Sequence, residues 1–399
     1  ALPGVALVEA DAALQVETPR GSPHNLGAIT IQSQSNPGAA ILRGWQWNLS
    51  AIHADAAWAA GQLGSPAVTV AILDTGIDYD ALDLNGLVDL SRSASFIPSD
   101  DSITAALFPG RHRISDYNGH GTNVAQQVSS KALVFAGVTS RTTLIGVKVL
   151  GANGSGSVAS VLFGLLWAAD HDADVINLSL GAPRLNMGGG GRLEAIINSV
   201  LAYVNRSGAL VVAAAGNEAI DFDRNLGPDP ETGEILHGPS LQYDYCTASH
   251  VICVSSVGPK VAGGSVDVPS VFTNFGRSAV DVAGPGGNFG SVVSMWPWGP
   301  DQLSWVWSLC SKTVLVFDDE GNIVGMPCAS GFVATAAVGT SQATPHVSGL
   351  AALLIARGGG GGPSQIRSAI RASAVQSDGG NDPYVGRGRI DVARALGLD

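Results

Sequence analysis

The sequence predicts an α/β fold: a doubly wound, mostly parallel β-sheet with helices on both faces, plus a small inserted β-hairpin region. Two observations predict the sheet. Short, β-branched apolar runs recur along the chain, and helical patterns lie between several of them. Continuous apolar runs suit strands buried on both faces, and strand–helix–strand at this spacing makes a parallel sheet. A third observation predicts the hairpin: Cys310 and Cys328 flank a strand–turn–strand pattern at nearly equal distances from a turn at Asp319 to Asn322.

The elements follow in order. Residues 67–73 ("AVTVAIL") read as the first sheet strand, 144–149 ("LIGVKV") as the second and 174–178 ("DVINL") as the third. A helical pattern over 157–171 joins the second strand to the third. Another over 190–208 follows the third, with Gly208 as its C-terminal cap. Strands over 209–214, 251–257 and 279–283 complete the series. Residues 219–245, rich in Pro, Gly and Asp, read as an inserted surface loop. Residues 287–338, rich in Trp and holding the Cys hairpin, read as a larger antiparallel insertion. "SQATPHVSGLAALLIAR" reads as a helix from Ser341, with Pro345 in its first turn. The glycines at 358–362 stop it, and Pro363 opens the next helix.

Composition narrows the function. The chain has 399 residues, 45% hydrophobic and 14% charged, enough for a large core. A net charge of −12 argues against nucleic acid or an anionic membrane as the partner. No apolar run approaches the ~18 residues of a membrane helix. Cys246, Cys253, Cys310 and Cys328 form no CxxC, so zinc is not expected. The hairpin pairs Cys310 with Cys328, and Cys246 and Cys253 are near enough to form a second bridge. Two such bridges imply an exported protein; the alternative is four buried thiols.

Four segments carry chemistry. Asp74 ends the first strand in "ILDTGID", where an α/β site forms. The single Asp-Thr-Gly lacks the second aspartate that an aspartic protease dyad needs. His120 stands between glycines in "NGHGTNVA", which leaves its ring accessible. Asn217 ends the small-residue run "VVAAAGN", where an amide donor could stabilise an oxyanion. Ser341 stands at the positive end of a helix dipole. His346, five residues along that helix from Ser341, turns about 140° away from it and is not its base.

Together "ILDTGID", "NGHGTNVA", "VVAAAGNE" and "GTSQATPHVSG" resemble the active-site blocks of the subtilisin-like serine proteases, in that family's order. The resemblance covers roughly residues 45–399 apart from the two insertions. It implies a serine endopeptidase with Asp74, His120 and Ser341 as triad and Asn217 as oxyanion donor. It implies that Gly154, Ser155 and Gly156 form one substrate-binding edge and Ser179, Leu180 and Gly181 the other. No cofactor is required for the chemistry. Asn123 and Gln126 replace the family's His and Gly after the histidine, and Gln342 replaces a common Met; none is a reacting group. Asp83 matches a carboxylate that often binds structural calcium, but the loop that completes that site reads as shortened here and carries Lys131.

"LPGVALVEADAALQV" resembles the last strand of a subtilase inhibitory prodomain. Residues 1–40 are therefore expected to be a prodomain remnant and linker, and 41–399 the catalytic domain, with a processing junction between about 20 and 45. The expected partners are protein or peptide substrates and the protein's own prodomain, for a secreted monomer. An α/β-hydrolase needs G-x-S-x-G and the reverse residue order, and a dinucleotide-binding protein needs a glycine turn after the first strand; neither fits. A pseudo-protease or a peptide ligase on the same fold stays open. No acidic residue is assigned to the P1 pocket, so an apolar or broad preference is expected.

Overall fold

The structure is a computed structural model that describes residues 13–15, 23–27, 36–185, 190–224, 226–228, 235–237, 241–289, 303–358, 361–376 and 382–398. Two short strands come first, β1 (Ala13–Gln15) and β2 (His24–Asn25), then helices α1 (Trp47–Ala51) and α2 (Ala54–Ala59). The first half of the sheet brings β3 (Thr69–Asp74), β4 (Ala94–Ser95), α3 (Pro98–Leu107), α4 (His120–Val128) and β5 (Thr143–Lys148). Next are β6 (Ser155–Ser157), α5 (Val158–Asp170), β7 (Val175–Leu178), β8 (Pro183–Leu185), α6 (Gly190–Ser207) and β9 (Leu210–Ala214). The first insertion holds β10 (Leu226–Pro228), β11 (Ile235–His237) and β12 (Leu241–Tyr243). Strands β13 (Val251–Val257) and β14 (Val282–Pro285) return to the sheet. The second insertion holds β15 (Val306–Leu309), β16 (Val316–Phe317), β17 (Ile323–Gly325) and β18 (Val333–Ala337). Helices α7 (Thr340–Ala356), α8 (Pro363–Ser373) and α9 (Val392–Ala395) close the chain.

The predicted parallel sheet is present. Seven strands run β14-β13-β9-β7-β3-β5-β4, and every pairing within it is parallel. All six residues of β3 are buried, because alternate side chains face two cores. Val70 and Ile72 pack on one face with α4 and α7 residues such as Val124 and Val347. Ala71 and Leu73 pack on the other with Val161, Leu165 and Leu201. Each fully buried side chain of this size contributes roughly 1.5–3 kcal/mol. Gly208 takes φ 102°, as its capping place requires.

Both insertions differ from expectation in part. Tyr243 at the end of β12, which pairs with β8, is buried with Ile220, Phe222 and Cys246 in a small cluster of its own. The ends of the first insertion are therefore core, because its aromatic side chains find an apolar partner. In the second, β15 and β18 pair antiparallel and are wholly buried, with β2 added at the far edge of β18. Only β16–β17 forms the expected projecting hairpin, and its turn runs from Asp318 to Asn322. Both expected disulfides, Cys246–Cys253 and Cys310–Cys328, are formed. Pro345 is deeper in α7 than the first turn, since the helix already begins at Thr340. Helix α3 was not anticipated. No described helix is long and apolar enough to cross a membrane.

Candidate active site

Asp74 is the last residue of β3, at the sheet's C-terminal edge, and is fully buried. Its Oδ1 accepts the Thr75 backbone N–H at 2.7 Å and lies 2.7 Å from His120 Nδ1. With a carboxylate there, Nδ1 carries the proton and donates it. Nε2, the other ring nitrogen, has no hydrogen-bond partner.

His120 opens α4 and is only 1% exposed, so the glycines around it serve close approach and not the accessible ring expected from the sequence. Gly119 takes φ 93° to cap the helix. A Cβ on Gly121 would stand 2.1 Å from the Gly76 carbonyl. The helix start is held by Asp116, a buried carboxylate that the sequence pattern alone does not single out. Its Oδ1 accepts Thr75 Oγ1, Asn118 N and Gly119 N at 2.8–3.0 Å. Its Oδ2 accepts Thr122 N and Oγ1 at 2.9 and 2.6 Å. An anion at a helix N-terminus is favoured by the unpaired N–H groups and the dipole. The available signal was an acidic residue four positions before the histidine.

Ser341 is the second residue of α7 and only 4% exposed. Its Oγ donates to the Ser179 carbonyl at 3.0 Å, and Ser179 Oγ donates back to the Ser341 carbonyl at 2.8 Å. The second bond has a covalent cause. Proline at 345 supplies no N–H, so the carbonyl four residues earlier, that of Ser341, lacks its helical partner. Asn177 Nδ2 bonds Ser179 Oγ at 2.9 Å, and Ser348 Oγ bonds Asn177 Oδ1 at 2.8 Å. Asn217 Oδ1 accepts the Thr340 N–H at 2.8 Å and Thr340 Oγ1 at 3.1 Å, which orients the amide at the α7 N-terminus.

The three unusual polar residues form a second set of contacts. Gln126 Nε2 donates to the Leu309 carbonyl at 2.9 Å, and its Oε1 accepts the Leu309 N–H at 3.0 Å. It thus acts as a strand partner to β15. Asn123 Nδ2 donates to Ser308 Oγ at 2.7 Å, and Gln342 Nε2 donates to Asn123 Oδ1 at 3.3 Å. The helices bearing His120 and Ser341 are thereby joined to the second insertion.

His346 is fully buried behind the site. Its Nδ1 bonds the Gln342 carbonyl, and Nε2 lies 2.8 Å from Asn48 Nδ2. Burial pulls its pKa down to about 4, so it stays neutral and takes no part beside Ser341.

Around the cleft, Lys148 is fully buried. It donates to the Thr75 carbonyl and lies 2.9 Å from Asp100 Oδ2 on α3. Helix α3 and the hairpin wall a cavity of about 620 Å³ beside β6, with Phe96, Ile97, Ile103, Gly156 and Phe317 among its lining. The predicted edge residues Ser155 and Gly156 are already paired. Strand β1 runs antiparallel along β6, Leu14 opposite Gly156 and Gln15 opposite Ser155, with Leu14 buried against Leu150 and Val158. Gly154 precedes this edge with φ 78°. Ser179, Leu180 and Gly181 follow β7 and are all buried.

Asp83 does not suit calcium. Its Oδ1 accepts the N–H of Leu133 and Val134, and its Oδ2 that of Phe135, at 2.8–3.0 Å. These donors occupy the carboxylate face a cation would need. Burial raises the pKa to about 6, against the lowering pull of those three N–H groups. The described residues hold no group of three or more His, Cys, Asp or Glu suited to a metal.

Comparison with known proteins identifies the family. The model of the Subtilase family (Peptidase S8) matches residues 65–388. The M-protease of Shouchella clausii (strain KSM-K16) is 30% identical over 369 residues, covering 92% of this chain and 71% of that protein. The thermophilic serine proteinase of Bacillus sp. (strain AK1) is 28% identical over 363 residues, covering 90% and 69%. A solved lanthipeptide protease superposes with TM-score 0.70 at 21% identity, covering 93% of this chain and all of that one. The epidermin leader peptide processing serine protease of Staphylococcus aureus gives 0.67 at 22%, covering 92% and 83%. The chain belongs to the subtilase family of serine proteases.

Proposed function

We propose that the protein is a secreted serine endopeptidase acting through Asp74, His120 and Ser341. The observation that carries this reading is the buried Asp74–His120 pair, 2.7 Å between Oδ1 and Nδ1, whose histidine opens the helix tied through Asn123 to Gln342 beside Ser341. Ser341 Oγ turns from the Ser179 carbonyl to His120 Nε2, which takes its proton as the oxygen attacks the peptide carbonyl. His120 then gives that proton to the leaving amine, and Asp74 keeps the ring in the required tautomer. Water repeats the sequence on the acyl-enzyme and restores Ser341. Asn217 and the Ser341 backbone N–H hold the oxyanion. Gly154–Gly156 and Ser179–Gly181 are the edges for an extended substrate.

The same reading covers the N-terminus. Residues 1–40 hold inhibitory prodomain sequence and its linker, and β1 lies on β6 as a cleaved substrate strand would, Leu14 filling an apolar subsite. Two disulfides support an oxidising, extracytoplasmic setting. Stability is expected not to depend on calcium at Asp83, whose oxygens are already committed. Digestion of a peptide library tests the reading. The wild-type chain is expected to release internal fragments with apolar or broad P1 preference, and Ser341→Ala none; equal cleavage by both would overturn it.

A further inference from the structure

The C-terminal part of the chain builds a surface that the peptidase reaction does not use. Residues 357–399 carry six arginines and four aspartates, with no lysine or glutamate, in a chain of net charge −12. Four of those arginines, Arg367, Arg371, Arg387 and Arg394, line one open cavity of about 770 Å³ between α8, the segment after it and α9. Ser364, Ser368 and Gln376 add polar groups to the same wall. None of these residues belongs to the active site or its cleft.

Among the described residues, one carboxylate forms ion pairs with the guanidinium groups of this cluster; from the cluster Asp391 accepts only the backbone N–H of Arg394. Asp281 is 4% exposed, and its oxygens lie 2.8–2.9 Å from Arg367 Nη2 and 3.0 Å from Arg371 Nη1. It also accepts the Cys253 N–H at 3.1 Å, so its capacity is spent on fixing two guanidinium groups. Arg387 and Arg394 are exposed and form no ion pair among the described residues. Arg367 Nε is buried without a hydrogen-bond partner. Four cations around one cavity against one carboxylate leave an uncompensated excess of positive charge, in a molecule that is acidic elsewhere. Arginine forks match tetrahedral oxyanions in pairs, and clustered arginines relieve their mutual repulsion when an anion binds.

We propose that this cavity binds a phosphate-type polyanion, one carrying at least two adjacent oxyanion groups. Arg367 and Arg371, fixed by Asp281, form the preorganised half, and the exposed Arg387 and Arg394 close on the ligand. The cavity is larger than one oxyanion fills, which selects a chain of such groups over a single phosphate. The groups can come from a soluble oligophosphate or from phosphodiester headgroups arrayed on a membrane.

Calorimetric titration of the full Ser341→Ala chain with sodium tripolyphosphate, at ionic strength held constant with NaCl, tests the site. Inorganic phosphate forms a second arm, and sedimentation with phosphatidylglycerol against phosphatidylcholine vesicles a third. The expected result is saturable tripolyphosphate binding, weaker binding of inorganic phosphate, and at least about tenfold loss in Arg387→Ala/Arg394→Ala. The same pair of substitutions in the otherwise wild-type chain leaves peptide hydrolysis unchanged, which shows that the variant folds. Vesicle binding that depends on the two arginines assigns the headgroup source; vesicle binding that does not assigns the soluble one. No saturable binding of tripolyphosphate, or equal binding by the double variant, overturns the proposal.

Discussion

Ser341 is held through its backbone as well as its side chain. Its carbonyl loses a helical partner to Pro345 and gains Ser179, which Asn177 and Ser348 hold in turn. The sequence near 341 shows half of this: Pro345 removes the helical partner, but the replacement, Ser179, lies 162 positions away. The residues proposed as the triad stand out as candidates in the sequence, since each lies in a short segment with its own glycines or at a strand end. Asp116 does not, since its purpose appears only once five donors converge on it. Asn217→Ala removes the proposed side-chain oxyanion donor; kcat is expected to fall about 10²–10³-fold with KM little changed, checked by steady-state kinetics. His346 makes a prediction about acid stability. Its folded pKa, about 4, lies below the unfolded value of 6.5. Its neutral form therefore contributes stability in full above pH 6.5. That contribution is lost as pH falls toward 4, where the unfolded chain binds the proton and the folded one does not. The loss approaches about 3 kcal/mol across the window. In denaturant titrations His346→Gln should be less stable at pH 7 and show a flatter decline from pH 6.5 to 4.

At the scale of elements, α4 shows why the family pattern is altered at Asn123 and Gln126. Both side chains point to β15, and Gln126 supplies the backbone of Leu309 with the two bonds a neighbouring strand would give. Gln126→Ala would leave a buried N–H and C=O unpaired. It is expected to destabilise the chain by about 1–3 kcal/mol, read as a lower midpoint in urea, with the triad chemistry itself intact. The sheet strands were legible because residues buried on both faces form unbroken apolar runs, as in Leu210–Ala214. The buried parts of the insertions were not, since the pattern there is short and their partners are distant. Helix α3 was missed for a similar reason: its sequence, "PSDDSITAAL", is polar, and what fixes Asp100 is Lys148, buried on a neighbouring strand.

At the scale of the whole molecule, β1 lies antiparallel along β6, the edge proposed above for substrate. A tethered strand has a high effective concentration, so it competes well even when its own affinity is modest. A chain starting at residue 23, which keeps β2 on β18, is expected to hydrolyse a short peptide with kcat/KM about tenfold or more above the full chain, and added peptide 1–22 should lower it again. Progress curves of the two forms check this. Ser341, activated by His120 and Asp74, is the proposed nucleophile. Mass spectrometry after treatment with a fluorophosphonate tests it most directly, on the chain starting at residue 23. One adduct per molecule is expected, mapped to Ser341, absent in Ser341→Ala and formed far more slowly in His120→Ala. An adduct on another residue, or none on folded wild-type protein, would contradict it.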